Sequence, residues 1–411
     1  MLTRRWRSRL AAASLAVLAV LAPLGGLAAP AHAATADVIR SSQLWVLSML
    51  HADEAWSVTR GAGVTVAVID SGVNPYVSDL SGSVTVGPDY TGVRTSPASA
   101  DWGVHGTWMA SLIAGHGHGA GLDGVIGTAP EARILSVRVI PDRADPHYKQ
   151  YERERETVIQ QSLADGIRYA VTHGAKVISM SIGYSAQSRT VRAALQDAYD
   201  HGVVVVASAG NSGGPGNASR NGRPAAYSFP ANYPGVISVG AVNVAGAVAG
   251  FSSDNLSVQV AAPGVRVPAQ GRDGQYWSVS GTSPACALVA GVAALIKSKY
   301  PRLAPDLVAS VLRSTTTDRP ADGYDSQVGF GIVDAAAALA KAGRLAGARP
   351  AQASIKATAR YRGVLPPAPV QPRGSGPLIL FGLLALASLV LTAAAATRLT
   401  VLRRSAGRDR Q

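Results

Sequence analysis

Apolar residues in the middle of the chain fall in short unbroken runs, without the polar alternation of a half-exposed strand. Six runs are rich in Val, Ile and Ala, which is typical of strands covered on both faces in a parallel sheet. These predicted strands are residues 64–69, 134–139, 176–182, 203–208, 236–242 and 258–262.

Longer segments with helical spacing of apolar positions follow several of these runs. The alternation of strand and helix predicts an α/β domain with a mostly parallel sheet and helices on both faces. In such sheets the functional side chains collect just past the carboxyl ends of the strands. The predicted helices are residues 106–114, 158–173, 189–201, 284–300 and 305–314.

Two apolar segments without charges lie outside this pattern. The first follows four arginines and ends in Ala31-His32-Ala33, which predicts a signal peptide, with a retained anchor as the alternative. The second, residues 377–397, would make a helix of about 31 Å, enough to cross a bilayer, with a buried core helix as the alternative. Five arginines follow it, which places that end in the cytoplasm and the bulk of the chain outside the cell membrane.

These features divide the chain into six parts. The stretch between the domain and the second apolar segment is rich in Pro and reads as an extended tether. The predicted parts are a signal peptide (1–33), an N-terminal extension (34–60), the α/β domain (61–345), a Pro-rich linker (346–376), one transmembrane helix (377–397) and a basic cytoplasmic tail (398–411).

The net charge of +13 belongs to the ends of the chain. Residues 1–9 carry +4 and residues 344–411 carry +10, whereas residues 10–343 carry −1. A nucleic-acid-binding domain would carry its excess of basic groups on the folded part, so no nucleic-acid partner is expected. The single cysteine, Cys286, excludes an intrachain disulfide and a cysteine-based zinc cluster.

Three polar side chains occupy positions where an α/β domain places its chemistry. Asp70 ends a predicted strand, His105 opens a helix and Ser283 precedes a long helix. Each alone has an ordinary structural interpretation, and Asp70 could equally hold a metal or a ribose. Together they supply what nucleophilic hydrolysis by serine needs, namely an imidazole base and a carboxylate that orients it. Asn211, after another strand, offers an amide donor to an oxyanion.

The segments around these residues resemble the signature segments of the subtilisin-like serine proteases, peptidase family S8. They read VAVIDSG at 66–72, HGT at 105–107, SAGN at 208–211 and GTS at 281–283, and GFGIVDA at 329–335 resembles the closing segment of the family. The resemblance implies a subtilisin-like fold and cleavage of peptide bonds through an acyl-enzyme. The implied catalytic residues are Asp70, His105 and Ser283, and the implied oxyanion hole is formed by Asn211 and Ser283.

The resemblance also implies a substrate cleft. One wall is expected to pair with the extended substrate backbone and the other to flank the pocket for the residue before the cut. The family usually has Met after the nucleophile, whereas this chain has Pro284. Proline at the start of a helix removes a donor that is unpaired there, so the donor of Ser283 itself remains. The implied substrate-binding residues are Ser181, Ile182, Gly183, Ser208, Ala209 and Gly210.

The predicted signal peptide, Pro-rich linker and single transmembrane helix make the layout similar to that of the mycosins. These are the membrane-bound proteases associated with type VII secretion in actinobacteria. Residues 43–56 also resemble their N-terminal extension. The expected partners are a protein or peptide substrate, the cytoplasmic membrane and a type VII secretion membrane complex. The alternatives are a structural subunit of such a complex, with proteolysis dispensable, and a membrane-bound subtilase unrelated to type VII secretion. Although His116-Gly117-His118 could seat a metal, its glycines favour a loop, and no metal or cofactor is expected.

Overall fold

The computed structural model describes residues 36–93, 95–119, 123–213, 227–347 and 383–398. The predicted signal peptide, and all but the edges of the predicted linker and basic tail, lie outside these residues. The chain divides into two compact units, Met1–Arg349 and Pro350–Gln411.

The first unit is built on a seven-stranded sheet in which every pair of neighbours is parallel. Its strand order is β2-β5-β1-β6-β7-β8-β9, and two small antiparallel pairs, β3–β4 and β10–β11, lie outside it. The strands are β1 Thr65–Asp70, β2 Val84–Asp89, β3 His116–His118, β4 Asp123–Ile126, β5 Arg133–Arg138, β6 Val177–Met180, β7 Val204–Ser208, β8 Val236–Val242, β9 Val258–Pro263, β10 Val267–Gln270 and β11 Tyr276–Val279.

Helices cover both faces of this sheet, which confirms the predicted α/β class with a mostly parallel sheet. One core contains α3 and α6, and the other contains α4 and α5. The helices are α1 Ala36–Met49, α2 Ala52–Trp56, α3 Val104–Ala114, α4 Tyr148–Thr172, α5 Arg189–Asp200, α6 Thr282–Lys299, α7 Pro305–Ser314 and α8 Ala335–Gly347, with one 3-10 turn at Ser78–Leu80.

Strand β1 shows why the sequence runs are apolar without alternation. Val66 and Val68 point into the core with α3 and α6, whereas Ala67 and Ile69 point into the core with α4 and α5. Since both faces of the strand are buried, no position along it has to be polar until the strand ends at Asp70.

Some element boundaries differ from the prediction. Helix α4 begins at Tyr148, ten residues before the predicted start at 158, because the intervening charged run of Glu and Arg consists of good helix formers without an apolar stripe. Strand β2 was not predicted because it is an edge strand with several exposed positions. The short pairs β3–β4 and β10–β11 also escaped prediction, since three or four residues carry little periodicity.

The described part of the predicted N-terminal extension packs against the sheet domain. Helix α1 lies on β4, where Gln43 donates to the Ile126 carbonyl (2.6 Å) and accepts from the Ile126 amide (3.0 Å). Gln43, Val46 and Leu50 are fully buried. In α2, the Trp56 indole donates to the carbonyl of Thr128 at 2.8 Å.

The second unit contains a helix over residues 383–398 with exposed side chains. The first six residues of the predicted span 377–397 lie outside the described residues. Among the residues that the structure describes, no helix combines the length and the apolar character needed to cross a membrane.

Candidate active site

The carboxyl edge of the parallel sheet brings the predicted residues to one place. Asp70 ends β1, Ser181 follows β6 and Asn211 lies three residues beyond β7, and these three strands are neighbours. The amino end of α6 reaches the same edge, since Ser181 Oγ donates to the carbonyl of Ser283 at 3.1 Å.

Asp70 and His105 form a short, buried hydrogen bond. His105 Nδ1 lies 2.8 Å from Asp70 Oδ1, which also accepts from the amide of Ser71 at 2.7 Å. Asp70 is only 1% exposed. Because an ionised carboxylate can only accept, His105 must donate from Nδ1, and its Nε2 then keeps a lone pair in the neutral ring.

The surroundings of His105 favour its protonated form. Burial alone would lower the pKa of the imidazole, but the charge of Asp70, its hydrogen bond and the charge of Asp142 outweigh burial and raise the pKa above its ordinary value. The indole of Trp108, one turn along α3, meets the ring edge-on with 6.2 Å between centroids.

Ser283 is the second residue of α6, which begins at Thr282 after Gly281. Its hydroxyl donates to the carbonyl of Ser181 at 3.4 Å, a long bond that leaves it free to turn. Within the described residues, no hydrogen bond joins Ser283 to His105. In free enzymes such bonds are often long and tighten only with substrate bound.

Asn211 is held through its side-chain oxygen, and its amide nitrogen has no hydrogen-bond partner among the residues that the structure describes. Both the amide and the hydroxyl of Thr282 donate to Asn211 Oδ1 at 2.9 Å. The Nδ2 atom lies 3.4 Å from where a Cβ on Gly281 would be, on the side of the turn before Ser283. The pairing of Asn211 Nδ2 with the Ser283 amide as an oxyanion hole stays a prediction.

The predicted substrate-binding segments flank the site on neighbouring strands. Residues 181–183 continue beyond β6, which ends at Met180 and so is shorter than the predicted strand 176–182. Strand β7 ends at Ser208, and residues 209 and 210 lead on to Asn211. Ser181, Gly183 and Gly210 are half-buried, whereas the Ile182, Ser208 and Ala209 side chains are buried. Their contact with substrate stays a prediction.

Asp142 belongs to the site and was missed in the sequence analysis. Its carboxylate accepts from the amides of Val104 (2.8 Å) and His105 (2.9 Å) at the start of α3. The only signal in the sequence was an acid three residues beyond the predicted strand 134–139, and no local motif marks it. Trp277 was missed as well, and its ring packs on that of Trp108 with 5.9 Å between centroids.

The two histidines of the possible metal site at residues 116–118 contact other groups of the protein. His118 Nδ1 lies 2.7 Å from Asp79 Oδ1, and His116 is near the carbonyls of Gly117 and Ser81. Across the described ranges, no three His, Cys, Asp or Glu side chains converge as a metal-binding group.

A sequence model of the subtilase family, Peptidase S8, matches residues 61–331. The chain belongs to the subtilase family. Among curated relatives of this subtilase, fervidolysin of Fervidobacterium pennivorans is 34% identical over 324 residues, which cover 73% of this chain and 44% of fervidolysin. The chain thus spans less than half the length of that relative.

Two solved mycosin structures are structural neighbours of this subtilase. MycP1 from Mycobacterium smegmatis superposes with a TM-score of 0.59 at 31% identity, covering 72% of this chain and 84% of MycP1. The MycP3 protease from the type VII (ESX-3) secretion system gives 0.61 at 33% identity, covering 72% and 87%. The predicted resemblance to subtilisin-like proteases, and to mycosins in particular, is confirmed.

Proposed function

We propose that this subtilase is a serine endopeptidase that uses Ser283 as nucleophile, His105 as general base and Asp70 as the group that orients the base. The observation that carries the proposal is the 2.8 Å bond from His105 Nδ1 to the buried Asp70. That bond fixes the tautomer and turns Nε2 into the proton acceptor that a serine hydroxyl needs.

In the first half-reaction, Ser283 Oγ attacks the scissile carbonyl carbon while His105 Nε2 takes the hydroxyl proton. The negative charge that develops on the carbonyl oxygen is stabilised by Asn211 Nδ2 and the Ser283 amide. When the tetrahedral intermediate collapses, His105 gives the proton to the leaving amine and the acyl group remains on Ser283. A water molecule then releases the acyl group by the same steps, with His105 again as base.

The substrate is proposed to bind as an extended peptide between residues 181–183 and 208–210. These segments continue neighbouring parallel strands and end beside Ser283 and Asn211, so a substrate strand laid along them presents its carbonyl to both. Main-chain hydrogen bonds of this kind supply affinity and leave selectivity to side-chain pockets.

Hydrolysis of a fluorogenic peptide library by the purified chain tests this proposal. Ser283→Ala, His105→Ala and Asp70→Asn are each expected to remove most of the activity with little effect on thermal unfolding. Because triad residues act as a unit, Ser283→Ala/His105→Ala should be little slower than either single variant. Losses that multiply would contradict a shared triad.

We further propose that the chain is a mycosin of a type VII secretion system, anchored by residues 377–397 with the protease domain outside the cytoplasmic membrane. Support comes from the similarity to MycP1 and MycP3 across more than four fifths of each, and from the uncharged segment followed by five arginines. Neither argument depends on the catalytic residues.

Two experiments test these parts separately. Protease added to spheroplasts should digest the domain and spare a tag placed after Gln411, whereas a digested tag with a protected domain would contradict the topology. In a host with its own type VII system, deletion of the gene for this chain should block secretion through that system. Expression of the wild-type chain should restore secretion. Restoration by Ser283→Ala as well would favour a structural role in the complex over a proteolytic one.

A further inference from the structure

Helix α3, which carries His105, lacks a cap of its own. The residue before it is Gly103, in a left-handed conformation with φ of 76°, and no side chain there accepts from the first turn. Uncapped amides at a helix start need partners, which a Ser, Thr, Asp or Asn in that position would normally supply.

A carboxylate from a distant loop takes this place. Asp142, 7% exposed, lies between β5 and α4 and accepts from the Val104 and His105 amides, one with each oxygen. Because both oxygens accept, the geometry fits the ionised carboxylate. The contact reaches the backbone of the proposed base itself.

The loop that carries Asp142 is held in place by contacts with β5. The carbonyl of Asp142 accepts from the Asp145 amide at 3.0 Å, and Asp145 pairs with the buried Arg138 at 2.9 Å. Arg138 also donates to the carbonyl of Ser71, the residue after Asp70, at 3.1 Å. One buried guanidinium thus ties the loop of Asp142 to the turn after β1.

Charges face this region from several elements. His105 is flanked by Asp70 from β1 and by Asp142 and Arg143 from the loop after β5. The charges of Asp142 and Asp101 also act on Arg272, which lies before β11. Burial raises the pKa of the Asp142 carboxyl above its ordinary value, and the two amide donors reduce this shift without cancelling it.

We propose that Asp142 is a positioning residue of the active site, which fixes the imidazole of His105 against Asp70 through the first turn of α3. A residue that only capped the helix would affect the stability of the fold and nothing else. Asp142 is expected to set, in addition, the pH at which the base becomes available.

The test is an NMR titration of labelled His105 in Ser283→Ala, with and without Asp142→Asn. Removing a neighbouring negative charge disfavours the imidazolium, so the apparent pKa of His105 should fall by about half a unit or more. The proposal rests on the proposed function only in its kinetic consequence, since this titration needs no turnover. A failed peptidase assay and a failed titration are therefore distinguishable.

In the active chain, Asp142→Asn should shift the acid limb of kcat/KM to lower pH and lower kcat about 10-fold, with KM within threefold. The matched control is Asp334→Asn, because Asp334 caps α8 by accepting from the amide of Ala337 at 2.8 Å, far along the chain from His105. It should lower stability and leave the acid limb in place.

An unchanged His105 titration in Asp142→Asn would overturn the proposal and reduce Asp142 to a helix cap. A shift of equal size in Asp334→Asn would overturn it as well, because the effect would then be general. If Asp142→Asn does not fold, Asp142→Ser, which retains one acceptor without the charge, takes its place in the same titration.

Discussion

Gly106 lies where α3 passes closest to the turn after β1, and replacing it by Ala tests how the base is placed. A Cβ at this position would overlap the carbonyl oxygen of Gly72 and would lie 3.3 Å from the Cβ of Asp70. Its backbone conformation is helical, so the change introduces no strain in φ. The substitution therefore acts through contact alone.

Two opposing effects set the magnitude. Alanine is the better helix former by about 1 kcal/mol, whereas overpacking costs about 1–3 kcal/mol, so the free energy of unfolding should fall by about 0–2 kcal/mol. Restoring an ordinary contact of about 3.5 Å moves α3 away from the turn after β1 by more than about 1 Å. A shift of that size between His105 and Asp70 is expected to lower kcat/KM about 100-fold.

Peptide hydrolysis and thermal unfolding are measured for Gly106→Ala beside Gly250→Ala, a position with open space around an added Cβ. The control should keep wild-type activity. Activity of Gly106→Ala within threefold of wild type would refute the reasoning, since the overlap would then have been relieved without moving the base.

Three further predictions concern pH, the oxyanion and the N-terminal helix. Because the pKa of His105 is raised and the base must be neutral, kcat/KM should fall as pH drops through a value above about 6.5; a limb at pH 6 or lower in the pH–rate profile would contradict this. Asn211→Ala should lower kcat by about 100- to 1000-fold, the loss known for such a donor in subtilisin itself, with KM nearly unchanged in steady-state kinetics. Gln43→Ala removes the side-chain partner of the two buried backbone groups of Ile126. This change should lower the free energy of unfolding in urea by about 2–5 kcal/mol. Leu44→Ala, an exposed neighbour, should change it little, and equal losses would contradict the assigned contact.

The central sheet and the polar residues at its carboxyl edge were predictable from the sequence. Burial on both faces requires an uninterrupted run of apolar residues in each strand. In β1 every residue from Val66 to Ile69 is apolar, and the first departure is Asp70. The same reasoning located Asn211 after β7. Chain order and local motifs then sufficed to group these residues with His105 and Ser283.

The remaining features depend on contacts between segments distant in sequence. Asp142 and His105 are 37 residues apart, and no local pattern marks an acid that caps another element's helix. Strand β2 escaped prediction since its exposed positions break the apolar pattern. Gln43 likewise resembles a surface residue, because only the fold supplies the Ile126 backbone that buries it.

Covalent labelling with a fluorophosphonate probe tests the proposed activity most directly. Such probes phosphonylate a serine only where an adjacent base activates it. We predict one modified residue, Ser283, found by peptide mass spectrometry in the wild-type chain and lost in Ser283→Ala and His105→Ala. A folded wild-type chain that is not labelled, or is labelled at another serine, would contradict the claim that Asp70, His105 and Ser283 act together as a hydrolytic site.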